Sequence, residues 1–249
     1  MTFDDYIKNP MGKNNMLFSG LEMYRKMYND KLSKILLREA GKINYKLYKD
    51  GNSYYIHMKI PSEVVPKFYY DTVVRFHTIN VLLYADKNLR KYDVEFYSND
   101  PSFVYTFAHA FIKNNMFIDI LKSKMSKLSV KKVAKERNPQ DQVGYVKSIF
   151  FMYIIMNTRG LFEKVMFDTY GSKFNKNILL NDIMDADIKV EQRQEAADKL
   201  RKENKSERIK QQRVSTPPKE SKNAIKPKPS VKTVSTTKTV NRIKTVKRK

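Results

Sequence analysis

The chain has 249 residues, 41% of them hydrophobic, with 14 Phe and 16 Tyr, which is enough for a real core in one large or two small domains. It has no Cys, which excludes disulfides, thiolate catalysis and Cys-ligated zinc or iron–sulfur sites and fits a reducing compartment or a particle assembled in one. The net charge of +23 is uneven: from Lys205 onward 15 basic residues face 2 acidic ones, a net of +13, while the first 204 residues carry 34 against 24. That distribution predicts a basic tail on a mildly basic folded body.

The opening MTFDDYIKNP has acids where a basic leader would begin, so no secretory signal is expected. The longest apolar run, Ile149 to Met156, has eight residues, against about 20 for a membrane span. Residues 1–18, broken by Pro10 and Gly12, read as an extended arm or a disordered terminus. Ser19-Gly-Leu-Glu22 then has capping-box spacing, with Leu21, Tyr24, Tyr28, Leu32, Ile35 and Leu36 on one helical face and Gly41 at the stop.

The period next changes to two. Ile43, Tyr45 and Leu47 alternate with polar residues, Asp50-Gly51 supplies a hairpin turn, and Tyr54, Ile56, Met58 and Ile60 alternate again. Pro61 and Pro66 bracket a loop, and residues 68–78 and 90–98 read as two further strands. Short links between four strands predict an antiparallel meander.

Asn99-Asp100-Pro101 is a helix start signal, and FVYTFAHAFI is apolar on nearly every side, as in a buried helix. A second short helix is expected over 116–125, an exposed mobile lysine-rich connection over 122–142, a buried helix over 143–157 and a shorter one over 159–169. From Asn177 a single long charged helix is predicted to about Arg213. Its apolar residues thin after Val190, so residues 191–213 should project to solvent or a partner. Residues 214–249 are Lys, Pro, Ser, Thr and Val without aromatics, and should be disordered alone. The fold expected is therefore α+β: an arm (1–18), a globular body (19–190) with an N-terminal helix, a four-stranded meander and a helical C-terminal part, a projecting helix (191–213) and a disordered Lys-rich tail (214–249).

Catalytic spacing is not visible. The 7 Gly form no nucleotide-binding loop, and no Gly-x-Ser-x-Gly elbow occurs. His57, His77 and His109 are far apart and read as structural histidines. Asp182, Asp185 and Asp187 are one conceivable divalent-metal cluster, but they lack the Gly and closing Glu of a calcium loop and read as a solvated helix face. Glu63, Asp4 and Asp5 offer nothing specific. Tyr54, Tyr55, Tyr69, Tyr70, Tyr92, Phe96 and Tyr97 could stack exposed bases, yet they sit where a core or interface would use them. The expectation is no catalytic residue, no cofactor and no metal.

The tail carries the functional signal. Lys-Thr-Val recurs from Lys232, Lys238 and Lys244, a six-residue period that suits an extended chain and not a helix. Lys226, Lys228, Lys232, Lys238, Arg242, Lys244, Lys247, Arg248 and Lys249 are the candidate nucleic-acid contacts, because flexible cations gain affinity for phosphates by releasing counterions. The bland alternative is a solubilising tail or a protein-binding arm.

The strings FDDYIKNPMGKNN, ILLREAGKINYKLY, KIPSEVVPKFYYD and NPQDQVGYVKS resemble a family of tailed-bacteriophage proteins grouped with virion structural genes. The resemblance covers about residues 3–190, not the basic tail. It implies a neck, connector or tail component, with other virion proteins and further copies in a ring as partners, and residence in the virion after assembly in host cytoplasm. The expected function is thus non-enzymatic: assembly through protein contacts, with DNA as a further partner of the tail and no membrane. An intracellular nucleic-acid-binding protein is the alternative.

Overall fold

The computed structural model describes residues 1–8, 43–50, 53–77, 88–136, 138–163 and 176–215. The capped helix expected from Ser19, the tail beyond Ser215 and most of the helix expected over 159–169 lie outside these residues. The chain divides into two units, residues 1–206 and 207–249. The sheet and its surroundings belong to the first. In the second, residues 207–215 are helical.

The first residues are not an extended arm. Phe3–Lys8 forms a helix, α1, that buries Phe3, Tyr6 and Ile7. Thr2 and Asp5 cap it reciprocally: the Asp5 N–H donates to Thr2 Oγ1 (3.1 Å), and the Thr2 N–H and hydroxyl donate to Asp5 Oδ2 (3.2 and 2.7 Å). These bonds hold the Asp5 carboxyl below its usual range. The apolar i, i+3, i+4 spacing of Phe3, Tyr6 and Ile7 drives the segment into the core.

The meander is as expected. Strands β1 (Tyr45–Asp50), β2 (Ser53–Pro61), β3 (Tyr69–Phe76) and β4 (Val94–Ser98) form one sheet in sequential order, with every neighbouring pair antiparallel. A short 3-10 turn at Leu89–Lys91 precedes β4, so the fourth strand starts later than position 90. The outer edge of β4 is covered at its start and its middle: Thr2 bridges Asp93, and Phe117 bridges Phe96. Such cover removes an edge open to aggregation.

In the central strands β2 and β3 both faces are buried, so the period-two pattern does not separate a wet face from a dry one there. Thr72, Val74, Phe76 and Phe96 share one face by register. The ring of Phe3 packs 4.9 Å from Phe96 and 6.5 Å from Phe76, and Tyr6 lies 4.9 Å from Phe96. After β4 the chain makes a π-helical turn, Phe103–Phe107, which continues as α2 (Ala108–Lys113). Phe103, Phe111 and Phe117 gather there at 5.0 to 6.1 Å, joining the helix to Tyr97 of the other face.

The lysine-rich connection expected over 122–142 is partly packed. It contains the end of a 3-10 helix (Asp119–Lys124) and α3 (Lys127–Lys131), and it buries Met125, Ser126, Ser129 and Asn138. Asn138 ties the segment down by donating to the carbonyls of Thr106 and Gln142. Gly144 follows; a Cβ there would lie 2.0 Å from the Phe107 ring, so a larger residue would force that ring to move. Its carbonyl accepts from the Tyr6 hydroxyl (2.9 Å), which in turn accepts from the Val146 N–H (3.1 Å).

α4 (Lys147–Thr158) is the buried apolar helix, and Ser148 reaches Ser98 Oγ at 2.9 Å. The predicted single long helix is two: α5 (Lys176–Asp182) and α6 (Ala186–Ser215). At the break Ile183 is buried, the Met184 carbonyl accepts from Asn99 Nδ2 (3.3 Å) and the Met184 N–H points to Asp71 Oδ2 (3.4 Å). These groups take over the backbone partners that a continuous helix would supply. α6 also packs past position 190: Arg193 Nε donates to the Tyr70 hydroxyl (2.9 Å) and Ala197 is buried.

Candidate functional site

Among the described residues three charged regions stand out. The first is a buried network around Asp71 on β3. Its Oδ1 lies 3.0 Å from His57 Nε2, its Oδ2 accepts from Asn99 Nδ2 (3.0 Å), and its backbone N–H donates to Asn99 Oδ1 (2.8 Å). Burial acts to raise the Asp71 pKa, but His57, Asn99 and the charge of Lys189 outweigh it and hold the carboxyl below its usual range. Lys189 sits 4.7 Å over the Phe68 ring, and burial depresses its ammonium despite Asp71. Nearby, a cavity of about 400 Å³ is lined by Asn44, Lys46, His57, Lys59 and Tyr69.

The second region is a cavity of about 300 Å³ between the end of β2, the turn after Pro61, the start of the helix at Pro101, the head of α4 and Arg193 of α6. Glu63 and Lys147 form an ion pair there at 3.1 Å, and Glu63 Oε1 is buried without a hydrogen bond from any described residue. Asp100 Oδ1 accepts from the N–H and hydroxyl of Ser102, both 2.7 Å. Burial pushes the Asp100 carboxyl above its usual range, against Ser102 and the charges of Lys147 and Arg193. Tyr70 is likewise raised, by burial first. Sequence reading takes Asp100 as a helix cap and gives Glu63 and Arg193 no role. Their convergence is tertiary.

The third is the later part of α6. Residues 201–209 are exposed throughout, and from Lys199 to Arg213 the sequence has seven basic and two acidic residues. All nine candidate contacts, Lys226 to Lys249, lie outside the described residues.

The other candidates resolve individually. Each histidine has a carboxylate neighbour: His57 with Asp71, His77 with Glu95 (2.9 Å) and His109 with Asp141 (2.8 Å). The aspartates of 181–187 separate instead of forming one solvated face. Asp182 accepts from Lys46 (2.8 Å) and from the Tyr48 hydroxyl, whereas Asp185 pairs with Lys124 (3.0 Å). Among the described residues no group of three or more His, Cys, Asp or Glu could hold a metal ion. Tyr54, Tyr55, Tyr70, Phe96 and Tyr97 are buried in the core, while Tyr69 and Tyr92 are half-buried. Among the described residues no helix is long and apolar enough to cross a membrane. No protein-family model matches the chain, nor does any curated protein or solved structure.

Proposed function

We propose that the chain is a non-enzymatic assembly protein of a tailed-phage-type particle, a neck, connector or tail component, that works through its surface and its basic C-terminal extension. The observation that carries this reading is the later part of α6. Residues 201–209 of this helix are exposed, so their side chains are available to a neighbour. Its sequence then runs directly into the Lys-rich tail. The body contacts other virion proteins or further copies in a ring, where extensions reach adjacent subunits. Mass spectrometry of purified particles from a host that carries the gene tests the assignment. The chain should be recovered at a fixed ratio to the other structural proteins, and its consistent absence would contradict the reading.

The excess of seven basic over two acidic residues between Lys199 and Arg213 also favours a second reading, an intracellular protein that binds nucleic acid without joining a particle. Both readings use the same phosphate contacts. Particle recovery separates them.

A further inference from the structure

We propose that the cavity beside Asp100 and Arg193 binds a small zwitterion of the α-amino-acid class, with its carboxylate on the Arg193 guanidinium and its ammonium on the Asp100 carboxylate.

The charge inventory leads there. Glu63 and Lys147 pair with each other at 3.1 Å and largely cancel. Arg193 and Asp100 are then the remaining opposite charges of the lining. Asp100 feels the charges of Lys147 and Arg193, yet among the described residues neither Asp100 nor Arg193 forms an ion pair, so each faces the cavity without a described charged partner in contact. Arg193 donates from Nε to Tyr70, which leaves its two terminal nitrogens, the pair that grips a carboxylate in parallel. Among the described residues the Asp100 carboxylate receives neutral donors only, the N–H and hydroxyl of Ser102. A buried carboxylate with so little compensation is suited to an incoming ammonium.

Simpler ligands fit less well. A phosphate or other plain anion meets Asp100 and Glu63, and a plain cation meets Arg193 and Lys147. A divalent metal wants six or more oxygens without cations beside them. A ligand carrying both charges satisfies both sides. Ile60 and Phe151 add apolar lining, and Ser62 adds a hydroxyl. A volume of about 300 Å³ equals roughly ten waters at liquid density, room for a free amino acid with an aliphatic side chain. This inference does not depend on the particle assignment.

Calorimetric titration of the full chain with leucine, N-acetyl-leucine and leucinamide tests it. Leucine should bind, and each blocked form, having lost one charge, should bind at least about tenfold more weakly. Arg193→Gln and Asp100→Asn should each weaken leucine about tenfold, with circular dichroism reporting that the fold is kept. No heat from leucine at about 10 mM, beyond the weakest useful affinity, would overturn the proposal. So would retained binding of either blocked ligand, or leucine affinity unchanged in both folded variants. Because the wild-type chain gives the first result, a variant that misfolds leaves the test decisive.

Discussion

Asp71 and Asp100 are both buried at the same end of the sheet, one on β3 and the other just past β4, and their carboxyls move in opposite directions. Asp71 meets a histidine, an amide and the charge of Lys189, and is held below its usual range. The Asp100 carboxyl meets, among the described residues, only Ser102 at contact distance, and burial pushes it above that range. Burial is therefore common to both, and the partners decide the outcome. The Asp71 carboxylate is paired on both oxygens and joins β2, β3, the residue after β4 and the α5–α6 turn. The Asp100 region is open to a cavity. A carboxylate paired on both oxygens holds a fold, whereas an undercompensated one beside a cavity is where binding is expected.

The comparison breaks most sharply at Asp71. Asp71→Ala leaves His57 and Asn99 without their partner, and should cost about 3–5 kcal/mol in urea unfolding. The same logic covers the neutral bridge of Tyr6 at a smaller size. Tyr6→Phe strips partners from the Gly144 carbonyl and the Val146 N–H, for a loss of about 1–3 kcal/mol by the same measurement.

Asp100→Asn should go the other way. A carboxyl whose folded pKa is raised contributes stability that is full below its unfolded pKa of about 3.9 and is lost as pH rises through the folded value. At neutral pH that contribution is absent, so the amide, which keeps an oxygen for Ser102, should raise the urea midpoint. Asp71, with a lowered folded pKa, contributes above about pH 3.9 and loses that contribution as pH falls through the folded value. Urea midpoints measured from neutral pH down to about pH 3 should show both slopes in the wild type. In Asp100→Asn the Asp100 slope should vanish, while the loss from Asp71 and from the other carboxyls held low, such as Asp5, should remain. The smallest effect belongs to the exposed Arg201–Asp198 pair at 3.4 Å, where Asp198→Asn should change stability by about 0.5 kcal/mol or less.

These regions also mark where sequence reading stops. Period two, the Asp50-Gly51 turn and the bracketing prolines are local signals, and they led to the four-stranded meander. The break between α5 and α6 has no such signal, because residues 177–190 keep a helical pattern. It is made by Asn99 and Asp71, more than 80 positions away in the chain. α1 had a readable signal in Phe3, Tyr6 and Ile7, masked by the polar stretch that follows. Asp100 was legible as a cap, while Arg193 was one charge among many on an outer helix. Only folding places Asp100, Arg193 and the Glu63–Lys147 pair around one space.

Duplex DNA binding by the full chain and by residues 1–213, measured across salt concentration, tests most directly whether the C-terminal extension is the working contact. For the full chain, log K should fall with log salt at about −0.9 per phosphate neutralised, and truncation should flatten that slope and remove most of the affinity. Equal affinity and equal slope in the two proteins would contradict it.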